Sequence, residues 1–311
     1  MGAALGRLGL FSVSYAGLWG QAALDASAFV RKAAALGFDS VLIMAKRPHL
    51  SPVDADEAKL GAIEEALRET GMACIGLAAY DDILLPAPAE VPALEMQLLY
   101  LEACARIAAR LFEAAPIPGA APLLRVFTGY SRPEIAPAAA WARTVAFLRE
   151  AAALAARHGV TVAVQNHHDL AVGSEALLRL IEEVGSPNLR VGFDAWSPFL
   201  RGEDLAESAL AIGDKAAISI AADYAKRPRW AYAPELVNYR RELPDLVEAV
   251  EMGKGEIDYP SFFAALDKGG FRGPVVYEMC SPIAGGPSEE NLDAKARAFL
   301  DYMRGQQGGR K

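Results

Sequence analysis

The sequence predicts a single (β/α)8 TIM barrel, an α/β fold in which each parallel strand is followed by a helix. Three observations point to it. Short apolar or β-branched runs alternate with Ala/Leu/Glu-rich segments of helical period along the chain. The runs number eight, and strands that alternate with helices read as parallel neighbours joined by crossovers. The length of 311 residues suits one barrel, whose usual size is about 250 residues before loop insertions. A doubly wound open sheet is the competing arrangement. Neither GxGxxG nor GxxxxGK[ST] follows a strand, however, so no nucleotide cofactor is expected.

Taken in order, the strands fall near Leu8–Ser14, Ser40–Met44, Met72–Ala79, Leu123–Thr128, Val160–Asn166, Leu189–Phe193, Ala216–Ala222 and Pro274–Met279. Helices fit the intervals. Asp25–Ala35, Val53–Glu69 and Ser174–Val184 are each followed by a glycine, Gly37, Gly71 and Gly185, where a helix end favours a left-handed residue. Glu90–Phe112 and Pro137–Arg157 are longer. Glu203–Ile212, Tyr259–Lys268 and Ser288–Arg304 complete the set, with Asp258 and Ser288 as N-caps. The domain is read as residues 1–305, with a disordered tail at 306–311. The segment 223–258 is too long for an ordinary connection and is rich in Tyr, Trp, Arg and Pro, so it reads as a loop insertion over the barrel mouth.

Composition narrows the function classes. The formal charge is −8 and the basic residues are scattered, which disfavours nucleic acid as a partner. No apolar stretch reaches the roughly 18 residues of a membrane span, and the N-terminal run is a poor secretion signal. Cys74, Cys104 and Cys280 lie far apart with no CxxC spacing, which fits reduced thiols in a cytoplasmic protein. Homo-oligomerisation is left open.

Polar residues at strand C-termini converge on one mouth of such a barrel. The fifth strand ends in Gln165-Asn166-His167-His168, where period-two alternation places Gln165 and His167 on one face and turns His168 away. His167 is a catalytic or binding candidate, or a loop residue capping carbonyls; Asn166 is a substrate-binding candidate. Asp194 follows the apolar run of the sixth strand directly, and reads as a catalytic carboxylate or a turn residue. Glu278 lies inside the eighth strand, where an unpaired charge is expensive, and needs a cation or a proton as partner. The second strand leads into Lys46-Arg47-Pro48-His49, and Lys46, Arg47 and His49 are candidates for contacting an anionic or hydroxyl-rich substrate. Asp223 serves as a ligand, an anchor for Lys226 or Arg227, or a helix cap. Trp19, Tyr130, Trp196 and Trp230 fall on mouth loops, and Trp196 is the candidate for stacking on a sugar face. No GxSxG elbow appears, which leaves acyl-transfer hydrolysis unsupported.

These strand endings resemble the sugar phosphate isomerase/epimerase family of xylose-isomerase-like TIM barrels. The resemblance spans nearly the whole chain and is best in Ala33-Ala34-Ala35-Leu36-Gly37-Phe38-Asp39-Ser40-Val41 and in Gly253-Lys254-Gly255-Glu256-Ile257-Asp258 running on to Glu278. It implies one divalent cation, Mn2+, Mg2+ or Zn2+, held at Gln165, Asp194 and Glu278. It departs from the family pattern at Gln165, which stands where a Glu is usual. The seventh strand has no His, and Ser197 stands where a further His is expected. The implied activity is isomerisation or epimerisation of a small keto-sugar, ketose or polyol, by proton abstraction next to a carbonyl. A keto-sugar lyase or dehydratase using the same first step, and a non-catalytic sugar-binding barrel, are the alternatives. Endonuclease-type repair fits poorly with an acidic chain that has four His.

Overall fold

The computed structural model describes residues 6–88 and 90–308. Eight parallel strands close into a barrel: β1 (Leu8–Phe11), β2 (Ser40–Met44), β3 (Ala73–Ala78), β4 (Leu123–Val126), β5 (Thr161–Gln165), β6 (Leu189–Asp194), β7 (Ala216–Ala221) and β10 (Val275–Tyr277). Each pairs with its sequence neighbour, and β10 closes the ring between β7 and β1. Their near-unbroken burial reflects coverage on both sides, by helices outside and side chains within. The inward positions form an apolar plug that includes Phe11, Leu42, Met44, Ile75, Leu123, Ala163, Ile218 and Val276.

The outer helices are α1 (Ala26–Leu36), α2 (Glu57–Thr70), α3 (Ala93–Ala114), α4 (Pro137–Ala156), α5 (Ser174–Val184), α7 (Leu205–Ile212), α8 (Tyr259–Lys268) and α9 (Glu289–Gly308). A short helix, α6 (Trp196–Leu200), follows β6 directly. Asp25, Asp56, Asp204 and Asp258 accept from backbone N–H groups in the first turns that they cap. Gly37, Gly71 and Gly185 end α1, α2 and α5 in the left-handed conformation. Helix α9 continues through residues 306–308, where the sequence suggests a disordered tail; residues 309–311 lie outside the described residues. Among the described residues no helix is long and apolar enough to cross a membrane.

The main departure from expectation lies between β7 and α8. In place of an irregular loop, the chain forms an antiparallel hairpin, β8 (Asp223–Ala233) and β9 (Asn238–Val250). Its base is packed on the barrel, with Tyr224, Ala249 and Val250 buried. Most of its outer part is exposed, including Trp230, Tyr232 and Tyr239, so only the base borders the mouth. The alternation in Arg229-Trp230-Ala231-Tyr232-Ala233 carries a strand signal, which Pro228 and Pro244 interrupt at a register shift. Asp223 anchors this base. Its carboxylate accepts from the N–H groups of Tyr224, Gly253 and Gly255 (3.0, 2.9 and 2.9 Å), so it ties the hairpin to the segment leading into α8.

Candidate active site

A cavity of about 1060 Å3 opens at the C-terminal ends of the strands, the mouth at which barrels of this kind carry their chemistry. Its wall includes Lys46 after β2, Gln165 and His167 at the end of β5, Asp194 at the end of β6, Trp196 on α6 and Glu278 after β10. These six residues, singled out in the sequence, thus meet in one space, together with Trp19, Tyr130 and His168.

Arg47, His49 and Asn166 do not line it. Arg47 is turned outward, with two nitrogens on the Asp54 carboxylate at 2.6 Å each. His49 is fully buried beneath the mouth: Nδ1 faces the Ser12 hydroxyl at 2.8 Å, and Nε2 faces the carbonyls of Tyr15 and Leu24 at 3.2 and 3.0 Å. Two carbonyls require a donor at Nε2, which in the neutral ring leaves Nδ1 to accept from the Ser12 hydroxyl. Burial holds its pKa below the usual 6.5. The unfolded chain therefore takes up this proton first, and folding stability falls as pH drops below 6.5. His49→Phe is expected to cost about 2 kcal/mol, by stranding Ser12 and the two carbonyls. It should also flatten the acid side of a plot of Tm against pH; an unchanged Tm at every pH would contradict this role. Asn166 is also buried and does not line the cavity. Its side chain donates to the Asp194 carbonyl and accepts from the Asp194 N–H, at 3.0 and 2.8 Å, pinning the end of β6.

His168 lines the cavity beside His167, against the expectation that alternation turns it away. The reason is local: its φ of 65° breaks the strand geometry. The two imidazoles form an aromatic cluster with Phe127 and Tyr130, with centroids 4.1–5.3 Å apart. Burial lowers the pKa of both, and His168 reaches about 4. Trp196 packs on Tyr224 at 4.5 Å, and Trp19 and Tyr130 sit at the rim. Trp230 lies out on the hairpin.

Beside Asp82, which is paired with Arg132, two buried charged groups in the cavity escape the sequence reading. Arg125, on β4, is 2% exposed, with Nη1 donating to the Ala79 carbonyl at 3.0 Å and its guanidinium over the Phe127 ring at 4.0 Å. The signal was present: a charge inside the apolar run Leu123–Phe127, like that of Glu278. Asp81, just past β3, is also buried. It accepts from the Phe127 N–H at 2.9 Å while its Oδ2 has no partner, and burial pushes its pKa up to about 7.

Glu278 is partly exposed, through the cavity that it lines. Enclosure by the barrel pushes its carboxyl from the usual 4.5 up to about 7. The Cys280 thiol, donating to Oε1 at 3.3 Å, and the positive Arg125 oppose the rise, and the negative Asp194 adds to it. A carboxyl held near neutrality is suited to exchanging protons at physiological pH.

The divalent ion implied by the resemblance does not fit these residues. Asp194 Oδ2 accepts from the Gln165 amide at 3.0 Å and Oδ1 from the Ser197 N–H at 2.9 Å. Facing a carboxylate, Gln165 must present its NH2, so its amide oxygen is not offered in the same direction. Strand β7 contributes Ile220 to the wall, with Ala222 just beyond it, and neither can ligate. The fixed charge of Arg125 already acts on Glu278. Among the described residues no group of three or more His, Cys, Asp and Glu converges to hold a metal.

Comparison with known proteins agrees with this architecture. The structure is similar to D-allulose 3-epimerase from Methylomonas sp. in complex with D-allulose, at 19% identity and a TM-score of 0.69, over 98% of each chain. It is similar to D-psicose 3-epimerase from Clostridium cellulolyticum H10 with D-tagatose, at 16% identity and a TM-score of 0.71, over 96% of this chain and 98% of that one. A probable 3-DHS dehydratase from Bacillus anthracis is similar too, at 14% identity and a TM-score of 0.67, over 94% of this chain and 98% of that one. At such identities the likeness shows the fold. Among curated proteins no sequence matches significantly. Residues 30–303 match the family model of xylose isomerase-like TIM barrels, and the chain belongs to that family.

Proposed function

We propose that this barrel is a cytoplasmic sugar isomerase or epimerase that moves a proton on the carbon next to a carbonyl, with Glu278 as the base. The observation that carries the reading is the Glu278 carboxyl, held near pH 7 in a cavity large enough for a small carbohydrate and walled by aromatic rings. The similar structures named for ketose epimerases point the same way. Three free thiols fit a reducing compartment.

Glu278 removes the proton, and the electron pair of the broken C–H bond passes to the carbonyl oxygen to give an enediolate; for isomerisation the hydroxyl proton on the neighbouring carbon moves to that oxygen. Returning the proton to the neighbouring carbon isomerises the sugar. Returning it to the opposite face of the same carbon epimerises it, which calls for a second carrier. The Gln165 amide is far too weak an acid for this, and the His167 imidazole, which lines the same cavity, serves only in its protonated form, which its burial disfavours. Trp196 and the Phe127–Tyr130 cluster supply apolar faces for the carbon skeleton. Elimination from a keto-sugar begins with the same deprotonation, and buried Asp81, near pH 7, is a group able to protonate a leaving hydroxyl.

The test is deuterium exchange. Ketoses and keto-sugar acids of five or six carbons are incubated with the protein in D2O and followed by proton NMR. Loss of the signal next to the carbonyl, with formation of an isomer, epimer or elimination product, is the expected result. The rate is expected to survive a chelator, because the donor set does not suit a divalent ion. Absence of exchange across the panel would overturn the reading.

A further inference from the structure

Arg125 raises an energetic problem that the proton transfer does not solve. A guanidinium 2% exposed has lost most of its hydration and needs compensation. Its Nη1 reaches one carbonyl, and its Nε has no hydrogen-bond partner. Ring faces lie nearby, Phe127 at 4.0 Å, Tyr80 at 5.0 Å and Phe11 at 5.5 Å, but these attract a cation without neutralising it. Among the described residues no carboxylate oxygen lies within the 4.0 Å of an ion pair. Other arginines near the mouth are paired, Arg47 with Asp54 and Arg132 with Asp82.

A second cation aggravates the problem. The Lys46 Nζ lies 3.8 Å from the centre of the Tyr80 ring, the ring that Arg125 also approaches, and among the described residues it too has no ion-pair partner. Burial and the charge of Arg125 push the Lys46 pKa below its ordinary value. The cavity thus holds two positive groups at one ring, placed from either side of β3, after the end of β2 and on β4. Of its acids, Asp82 is paired with Arg132 and Asp194 accepts from Gln165 and Ser197, while Glu278 and Asp81 feel Arg125 at longer range and, even so, sit near 7, so at neutral pH these two are only partly charged.

We propose that Arg125 and Lys46 form an anion subsite and that the substrate is a sugar acid, held by its carboxylate. This rests on the proton-transfer reading and names the substrate class that it leaves open. A carboxylate settling between the two cations relieves their mutual repulsion and supplies the missing counter-charge, while the rest of the sugar extends toward Glu278. A monoanion suits the cavity better than a phosphate dianion, because the negative Asp194 lines the same cavity and repels a second negative charge. The pair also supplies a fixed positive charge in a mouth whose residues do not suit a metal ion.

Binding, measured by calorimetry at pH 7.5, tests this without requiring turnover. The probes are D-gluconate and D-glucuronate, the neutral sugars D-fructose and D-glucose, and D-fructose 6-phosphate. The sugar acids are expected to bind at least about tenfold tighter than the neutral sugars, the effect of one charge-assisted hydrogen bond. Lys46→Met should erase most of that preference, and Lys46→Arg should restore it. Lys46 is partly exposed, so these variants keep the protein folded even if Arg125→Met does not. Equal affinity for acid and neutral sugars, preference for D-fructose 6-phosphate, or a preference unchanged in Lys46→Met would each overturn the proposal. The two readings fail separately. Tight binding of sugar acids without deuterium exchange on any substrate sinks the proton-transfer reading alone, and exchange on neutral ketoses with no preference for acids sinks the subsite alone.

Discussion

Glu278→Gln is expected to lower kcat/KM by roughly 10^2- to 10^4-fold, the usual worth of a positioned general base. The amide keeps the size of the side chain but cannot accept the proton. Substrate affinity should change little. The pH dependence follows from the same group: the base works when ionised, so wild-type kcat/KM rises as pH increases through about 7 and levels above it. Stability moves in the opposite direction. A carboxyl whose pKa is raised on folding, from 4.5 to about 7, binds a proton more tightly in the folded chain, so stability falls as pH rises across that window. Glu278→Gln removes this liability, and its Tm at pH 8 is expected to be no lower than that of the wild type. Loss of activity with a retained or higher Tm marks a residue kept for chemistry. Full activity in the variant would remove Glu278 from the mechanism.

Gly76→Ala is expected to lower the Tm by about 10 °C, equivalent to several kcal/mol in a domain of this size. Strand β3 bulges where Val41 pairs with Cys74 but Leu42 with Gly76, and Gly76 takes a φ of 153°. A Cβ there would lie 1.9 Å from the Leu123 carbonyl oxygen and 2.7 Å from the Leu123 nitrogen, both backbone atoms of the strand it pairs with. No rotamer change relieves that clash; β3 and β4 must separate. The site follows the fold here, because Ala78 pairs with Arg125 and the Ala79 carbonyl takes the Arg125 hydrogen bond. Differential scanning calorimetry with sugar-acid binding on the same samples checks both consequences, and a wild-type Tm would show that the strands adapt.

The barrel was legible because its signals are local. Helix α5 runs over Ser174–Val184 as its Gly185 stop indicates, and α8 over Tyr259–Lys268 as Asp258 indicates. Glu278 and Asp194 could be picked out because a carboxylate at the end of an apolar strand has few cheap places to go. Arg125 carries the same signal within the apolar run of β4. His168 escaped because a single left-handed residue reverses the direction that alternation assigns.

The order of strands and helices, the mouth as the place of the chemistry, and the polar strand endings were determined by the sequence alone, since hydrophobic period and helix caps act over a few residues. Which of those endings share a space was decided by tertiary structure. Arg47 is drawn off by Asp54 and His49 by Ser12 and two carbonyls, while Lys46, from the same short cluster, turns in over Tyr80 toward Arg125. These partners stand between 7 and roughly 80 residues apart, and only the parallel pairing of β2, β3 and β4 brings Lys46 and Arg125 to one ring. The raised pKa of Glu278 has the same origin: burial and the field of distant charges are properties of the closed barrel, absent from any local stretch of the chain.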